Sequence, residues 1–472
     1  MKVLPVVFLF CAAVRGFAAE TAPPNFVVIL GEAQGWASSS VQMDEAVPGS
    51  KSTLAQTPNL EALARGGMRF ANFYAASPRC MPTRAALFTG RSPAALHMTY
   101  IGEGKRDEMP DSGRKLLPPH CSLEMPEAEI TIAEILKSGG YATAHFGKWH
   151  AGRVDPRRHG FDESDGATSN VGPGGDQNPN PKQAFSMTER GVDFMARQVK
   201  AGKPFYLQIS HYAGDGGTAA RPETYAAVRR RARAGDEKQV ENVAMTEDMD
   251  ETIGTLLAKL ESLGIGHRTY VFYTADHGSK GHVTNGILAG GKGTVLEGGL
   301  RVPLIVSGPG VKAGACAHVR ASTVDILPTV VALAGIRDPL PEGVEGGNLA
   351  GVLAGEAAPV KRPREDFVVH FPHYDKDDTG PASVLYSGAE KLVRVYESAE
   401  LRLFNVENDR SERRNLAKEN PARIAELERR LDAYLEVVHA QMPAPNPAYD
   451  PTSPTAPSQQ QGRRKKERDG GR

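Results

Sequence analysis

Short, wholly apolar runs alternate with longer amphipathic stretches along this chain, and no other feature restricts its fold as much. Asn25-Phe-Val-Val-Ile-Leu30 follows Pro23-Pro24 and lacks polar alternation, as suits a strand buried on both faces. Residues 141–146, 205–209, 270–274 and 304–307 repeat the pattern. Helical segments come between. Thr57-Pro58 supplies a capping hydroxyl and a first-turn proline to a helix with Leu60 and Leu63 on one face and Gly66-Gly67 at its end. Residues 130–136 read as a helix closed by Gly139-Gly140, and Met245, Met249, Ile253, Leu256, Leu260 and Leu263 recur at helical spacing. This order predicts an α/β fold, a mainly parallel central sheet sandwiched by helices. The polar loops after Leu30, Phe146, Ile209 and Thr274 then fall at the carboxyl ends of strands, where such sheets gather ligands.

The pattern changes near Asp366. Short strand-like stretches at 367–370, 391–396 and 401–406 precede a helix at 421–438, which predicts a smaller C-terminal α+β subdomain over 363–442 after a main domain over 20–362. Residues 1–19 combine a basic start, an apolar core and small residues at Gly16, Ala18 and Ala19, as an export signal does, so the protein is expected in a periplasmic or extracellular space. No stretch reaches the roughly 20 apolar residues of a transmembrane segment. The end, 443–472, is rich in Pro, Ala and Ser and then in Arg and Lys, and reads as a disordered tail. Lys plus Arg (56) equals Asp plus Glu (56), so no overall field draws the chain to nucleic acid. Of four cysteines, Cys11 leaves with the signal; whether Cys121 and Cys316 pair, leaving Cys80 for chemistry, is open.

Chemistry concentrates in Ser77-Pro-Arg-Cys-Met-Pro-Thr-Arg-Ala-Ala-Leu-Phe-Thr-Gly90. Cys80 stands at the start of a predicted helix at 83–88 with guanidinium groups beside it, a setting that lowers a nucleophile's pKa and welcomes an anion. A solitary Cys on a helix is otherwise a buried packing residue. Cys80, Pro82 and Arg84 form a Cys-x-Pro-x-Arg pattern that resembles the signature of the type I, formylglycine-dependent sulfatases of the alkaline-phosphatase-like superfamily. Phe146-Gly-Lys-Trp-His150, Thr274-Ala-Asp-His-Gly278 and Gly290-Gly-Lys-Gly-Thr-Val-Leu-Glu-Gly-Gly-Leu-Arg-Val-Pro303 resemble further elements of that family, in its order; His159-Gly-Phe-Asp162 and 408–417 match weaker ones. The resemblance implies that a formylglycine-generating enzyme oxidises Cys80 to formylglycine. One hydroxyl of the hydrated aldehyde attacks sulfur and the other expels sulfate. It also implies that Arg84, Lys148, His150 and Lys292 surround the sulfate and that Glu32, position 80, Asp276 and His277 hold a divalent metal, Ca²⁺ first, with Mg²⁺, Mn²⁺ or Zn²⁺ as alternatives. The chemistry agrees: fixed cations and a metal stabilise charge that builds on sulfuryl oxygens and on a leaving alcohol.

Three positions depart from the family. Glu32 replaces one of two expected aspartates, and Ala33, in place of the other, has no ligand atom; Gln34, or Asp44 and Glu45, are candidates to fill the gap. His277 stands where asparagine is usual, and imidazole suits Zn²⁺ or Mn²⁺ better than Ca²⁺. Asp215 occupies a sulfate-facing histidine position, for which His211 is the candidate substitute. The expected function is an exported sulfatase acting on sulfate esters of sulfated carbohydrates. Two alternatives stand beside it: a catalytically impaired relative that binds anionic glycans, and a phosphodiesterase or phosphonate hydrolase of the same superfamily. His370 and His373 read equally as pocket residues and as packing.

Overall fold

The structure is a computed structural model that describes residues 22–101, 113–170, 181–212, 220–237, 239–280, 284–375 and 379–453. The expected export signal, and the tail beyond Ser453, lie outside these residues. An eight-stranded sheet forms the centre. Its order is Ala315–Ala317, Gly67–Phe70, Leu304–Ser307, Thr269–Ala275, Asn25–Gly31, Phe205–Ser210, Ala142–Gly147 and Glu163–Ser164. Asn25–Gly31 pairs in parallel with both neighbours.

The run at 25–30 is apolar throughout because both of its faces are covered. Phe26, Val28 and Leu30 pack into one core with Ala85 and Phe88 of the helix Cys80–Thr89 and with Leu136 and Val330. Val27 and Ile29 face the other core, with Leu60, Phe194, Ile253 and Leu256 from three further helices. Strand alternation thus feeds two separate helical layers.

Leu304–Ser307, read as one more member of the parallel series, runs antiparallel to both neighbours. The described residues between Ala275 and Leu304 hold only the short helix Glu297–Leu300 and otherwise run as loops at the strand ends, so the chain turns back at that edge of the sheet instead of crossing over it. Thr57 does not cap its helix through its side chain. The Oγ1 is instead engaged by Ser40, whose N–H donates at 2.9 Å. The helices Ala184–Lys200 and Ile326–Leu333 and the strand Ala382–Ser387 add to the elements read from sequence.

The C-terminal sheet is antiparallel in the order Phe367–Phe371, Ala382–Ser387, Glu390–Val395, Glu400–Asn405. The helix Pro421–Val437 covers one face through Leu427, Leu431 and Tyr434. The other face meets Tyr74, Val295 and Leu300 of the main domain. Ala444–Pro445, the first part of the segment expected to be a loose tail, pairs with Leu116–Leu117. No disulfide joins Cys121 to Cys316; the Cys316 Sγ lies 3.5 Å from the Met43 carbonyl instead.

A buried charge network fastens the two units together. Glu297 accepts from Tyr74 Oη (3.0 Å), Arg301 Nε (2.8 Å), Tyr386 Oη (2.8 Å) and Lys391 Nζ (3.2 Å). Burial opposes its charge, but Arg301 and Lys391 outweigh that and hold the carboxyl down at about 2. Glu297→Ala would leave buried Arg301 without its carboxylate and Lys391 with Glu412 alone (2.7 Å), so it is expected to destabilise the protein by about 3–5 kcal/mol in urea titration. A loss under about 1 kcal/mol would show that the network holds nothing together.

Candidate active site at the strand ends

Four parallel strands finish at one edge of the sheet, and each passes directly into a polar residue. Gly31 leads to Glu32, Ala275 to Asp276 and His277, Gly147 to Lys148, and Ser210 to His211. Gly31 pairs with Ala275 and Gly147 with Ser210, so the four exits are level. Gly147 is required at its turn. Its φ is +96°, and a Cβ there would lie 2.1 Å from the Ser210 carbonyl oxygen.

Cys80 opens its helix and Arg84 follows one turn later on the same face. The Arg84 guanidinium donates to Asp276 Oδ2 from Nε (3.1 Å) and Nη2 (2.9 Å), to Glu32 Oε2 (3.1 Å) and to the Lys148 carbonyl (2.5 Å). Lys148 Nζ reaches Glu32 Oε2 at 2.9 Å, and Lys292 Nζ reaches Glu32 Oε1 at 3.3 Å. Glu32 is fully buried, and its carboxylate therefore meets three cations. Burial alone would raise its pKa; Lys148 and Lys292 hold it well below the carboxylate range instead.

The loop that carries Lys292 is locked onto the loop that carries Asp276. Lys292 N–H donates to the Ser279 carbonyl (2.9 Å) and Gly278 N–H to the Gly299 carbonyl (3.1 Å). A Cβ on Gly278 would lie 1.7 Å from the Gly298 carbonyl oxygen, one on Gly298 2.5 Å from the Ala289 carbonyl oxygen and one on Gly299 2.1 Å from the Thr294 carbonyl oxygen, so all three positions require glycine.

Cys80 is 2% exposed. Burial opposes its ionisation, yet Lys148 and His150 outweigh burial and hold the thiol well below its ordinary range. His150 is kept at a φ of +44°. His277 Nδ1 donates to the Gly278 carbonyl (2.9 Å), which aims Nε2 at Asp276 Oδ1 (3.5 Å) and Glu32 Oε1 (3.7 Å), beyond hydrogen-bond reach. That nitrogen is buried and has no hydrogen-bond partner. Burial and the neighbouring Glu32 push Asp276 up to about 6.

Glu32, Cys80, Asp276 and His277 each present one ligand atom, all within 4.8 Å of one another. Two carboxylates, one of them (Asp276) pushed up by its neighbour, a ring nitrogen left without a hydrogen-bond partner and the Cys80 sulfur make a donor set that suits a divalent cation. The candidates for the gap at Ala33 all turn elsewhere. Gln34 Oε1 accepts from Thr246 (3.0 Å), Asp44 pairs with Arg410 (2.6 Å), and Glu45 lies 3.4 Å from His318. Ala33 contributes its backbone, donating to Asp276 Oδ1 at 3.1 Å. His211 stands at its strand end outside these bonds; both ring nitrogens are buried without a hydrogen-bond partner, and burial lowers it to about 4. Asp215 lies outside the described residues.

Sequence reasoning missed two features here. Asn170 accepts from Lys148 Nζ at 2.8 Å, from a loop with no motif. Arg79, beside Cys80, forms a two-armed pair with Asp375 of the C-terminal subdomain. Its adjacency to Cys80 was the only available signal. His370 bonds Ser383 (2.6 Å) and the Gln441 carbonyl (2.9 Å), and His373 bonds Thr99 (2.7 Å); both rings are buried.

Comparison with known proteins agrees with this geometry. A family model described as Sulfatase matches residues 24–336. N-acetylgalactosamine-6-sulfatase of Canis lupus familiaris is 30% identical over 389 residues, 74% of this chain and 70% of that protein. Arylsulfatase A of Homo sapiens is 31% identical over 426 residues, 80% of this chain and 76% of that protein. The crystal structure of Ps i-CgsB superposes with a TM-score of 0.72 at 21% identity, covering 95% of this chain and 98% of the other. The PsFucS1 sulfatase from Pseudoalteromonas sp. superposes at 0.69 and 21% identity, covering 91% and 92%. These structures share the fold. With the family model, the named relatives and the strand-end cluster in agreement, the chain belongs to the sulfatase family and is a sulfuric ester hydrolase.

Proposed function

We propose that the protein hydrolyses sulfate esters on sulfated carbohydrates, in a periplasmic or extracellular space, through a formylglycine made from Cys80. One observation carries the mechanism: Cys80 shares a buried cluster in which Arg84, Lys148 and Lys292 face Glu32 and Asp276. The cations outnumber the carboxylates there, so the site favours an anion. The sugar part rests on the relative named N-acetylgalactosamine-6-sulfatase, and the location on the character of residues 1–19.

In this reading Glu32, Asp276, His277 and the side chain at position 80 hold the cation, Ca²⁺ by resemblance, while the His277 nitrogen also suits Mn²⁺ or Zn²⁺; Mg²⁺ competes for the carboxylates. A bound ion there would supply Lewis acidity towards a sulfuryl oxygen. The hydrated aldehyde of formylglycine, made by a formylglycine-generating enzyme, supplies two geminal hydroxyls. Lys148 and Lys292 hold the sulfuryl oxygens and offset the charge that grows as the ester bond breaks. Arg84 orients Glu32 and Asp276. His150, beside position 80, takes the hydroxyl proton. A neutral His211 keeps one ring N–H to donate towards the bound anion.

Mass analysis of the tryptic peptide Cys-Met-Pro-Thr-Arg, from protein made beside a competent maturase, is expected to find aldehyde in place of thiol. Cys80→Ala is expected to abolish aryl-sulfate turnover with an unchanged melting temperature. An unmodified thiol without turnover would instead favour the glycan-binding alternative, and faster turnover of phosphodiesters or phosphonates than of sulfate esters would favour the other.

Lys292→Ala is expected to lower kcat/KM by about 100–1,000-fold, the usual effect of losing one charge-stabilising donor. Dialysis against a chelator is expected to remove activity, and Ca²⁺ or Mn²⁺ to restore it. Full activity in protein shown by elemental analysis to be metal-free would remove the ion from the proposal.

A further inference from the structure

We propose that Glu45, Cys316 and His318 form a zinc-binding site at the edge of the main sheet, separate from the strand-end cluster. The three side chains each offer one ligand atom, all within 4.8 Å of one another. The His318 Nε2 lies 3.4 Å from Glu45 Oε1. Ligands on a tetrahedral zinc stand roughly 3.3–3.8 Å apart, given bonds of about 2.0–2.3 Å, so small rotations of Glu45 and His318 close the site. Both side chains have that freedom, being 59% and 51% exposed.

The backbone beneath is fixed on both sides. Cys316 belongs to the strand Ala315–Ala317 and pairs with Arg69 of Gly67–Phe70. The His318 carbonyl accepts from Asn72 Nδ2 at 2.6 Å. On the opposing segment, Gln42 Nε2 donates to the Asp44 (3.1 Å) and Glu45 (3.0 Å) carbonyls, and buried Asp44 is tied to Arg410. The backbones that carry donors far apart in sequence are thus fixed, while the exposed side chains stay free to turn onto an ion.

The donor chemistry selects the ion. One sulfur, one imidazole nitrogen and one carboxylate oxygen form a mixed set that suits borderline Zn²⁺ and not the hard cations Ca²⁺ and Mg²⁺. On binding, the Cys316 S–H bond breaks, its proton passes to solvent and the thiolate ligates the metal; no electron is transferred. Water completes the fourth position, since the site faces solvent. The strand Ala315–Ala317 lies at the end of the sheet order, so a metal there would clip the 44–47 turn over an edge strand. A Glu45–His318 ion pair beside an inert thiol is the competing interpretation of the same geometry.

Cobalt and zinc titrations of the full chain decide between them. They use a Cys80→Ala background, which removes the thiol of the strand-end cluster and leaves the edge site untouched. Addition of Co²⁺ is expected to produce a thiolate-to-metal charge-transfer band, which disappears in both Cys316→Ser and His318→Ala. Zn²⁺ is expected to compete the band away, to remain on the protein after dialysis at one equivalent more than in either variant, and to raise the melting temperature further in the background protein than in either variant. A band of equal strength in Cys316→Ser, no band in the background protein, or equal zinc content in all three overturns the site. Sulfatase activity is measured with Cys80 intact and is expected to be unchanged by Cys316→Ser, so failure of this proposal is distinguishable from failure of the catalytic one.

Discussion

A carboxylate in the dry interior of a protein has to be neutralised, and Glu32 is the residue around which the catalytic end of this molecule is arranged. Its two oxygens receive Arg84, Lys148 and Lys292, which arrive from a helix and two separate loops. Removing it from water is costly, and only partners held in place by the surrounding fold can offset that cost. The parallel sheet provides the necessary order, because strands that end level with one another deliver their next residues to the same place. The same arrangement concentrates charge: the cations that restrain Glu32 lie in one buried cluster with Cys80 and Asp276.

The second sheet contributes through position more than through reactive groups. One of its faces is closed by its own helix, and the other rests on Tyr74, Val295 and Leu300, next to the segment that carries Lys292. Glu297 and Lys391 connect the two units with hydrogen-bonded charge, and Arg79 paired with Asp375 brings the subdomain to within one residue of Cys80. A unit that appears accessory in the sequence is therefore part of the wall around the reactive residue.

The sequence disclosed the strands that are buried on both faces, since a continuous apolar run has few other uses, and with them the loops that bear chemistry. Local motifs singled out Cys80, Arg84, Lys148, Asp276 and Lys292, which the fold brings into one buried cluster. The sequence did not disclose relations between residues far apart. The reversed direction of Leu304–Ser307 shows only in its pairing with Gly67–Phe70 and Thr269–Ala275, and the Thr57 side chain is claimed by Ser40 from another segment. Asn170 and Asp375 carry no local signature at all. Ala33 shows a different limit: the side chain lacks a ligand atom, yet its amide reaches Asp276, and a backbone contribution is invisible in a residue type.

Where Gly278 meets the carbonyl of Gly298, two loops touch with no side chain between them. Such a contact has almost no slack, so the lysine on one loop and the aspartate on the other shift as one body or not at all. The floor of this enzyme is thereby built before any substrate arrives. Any adjustment to a bound molecule must then come from the rim, since the floor has no play to offer.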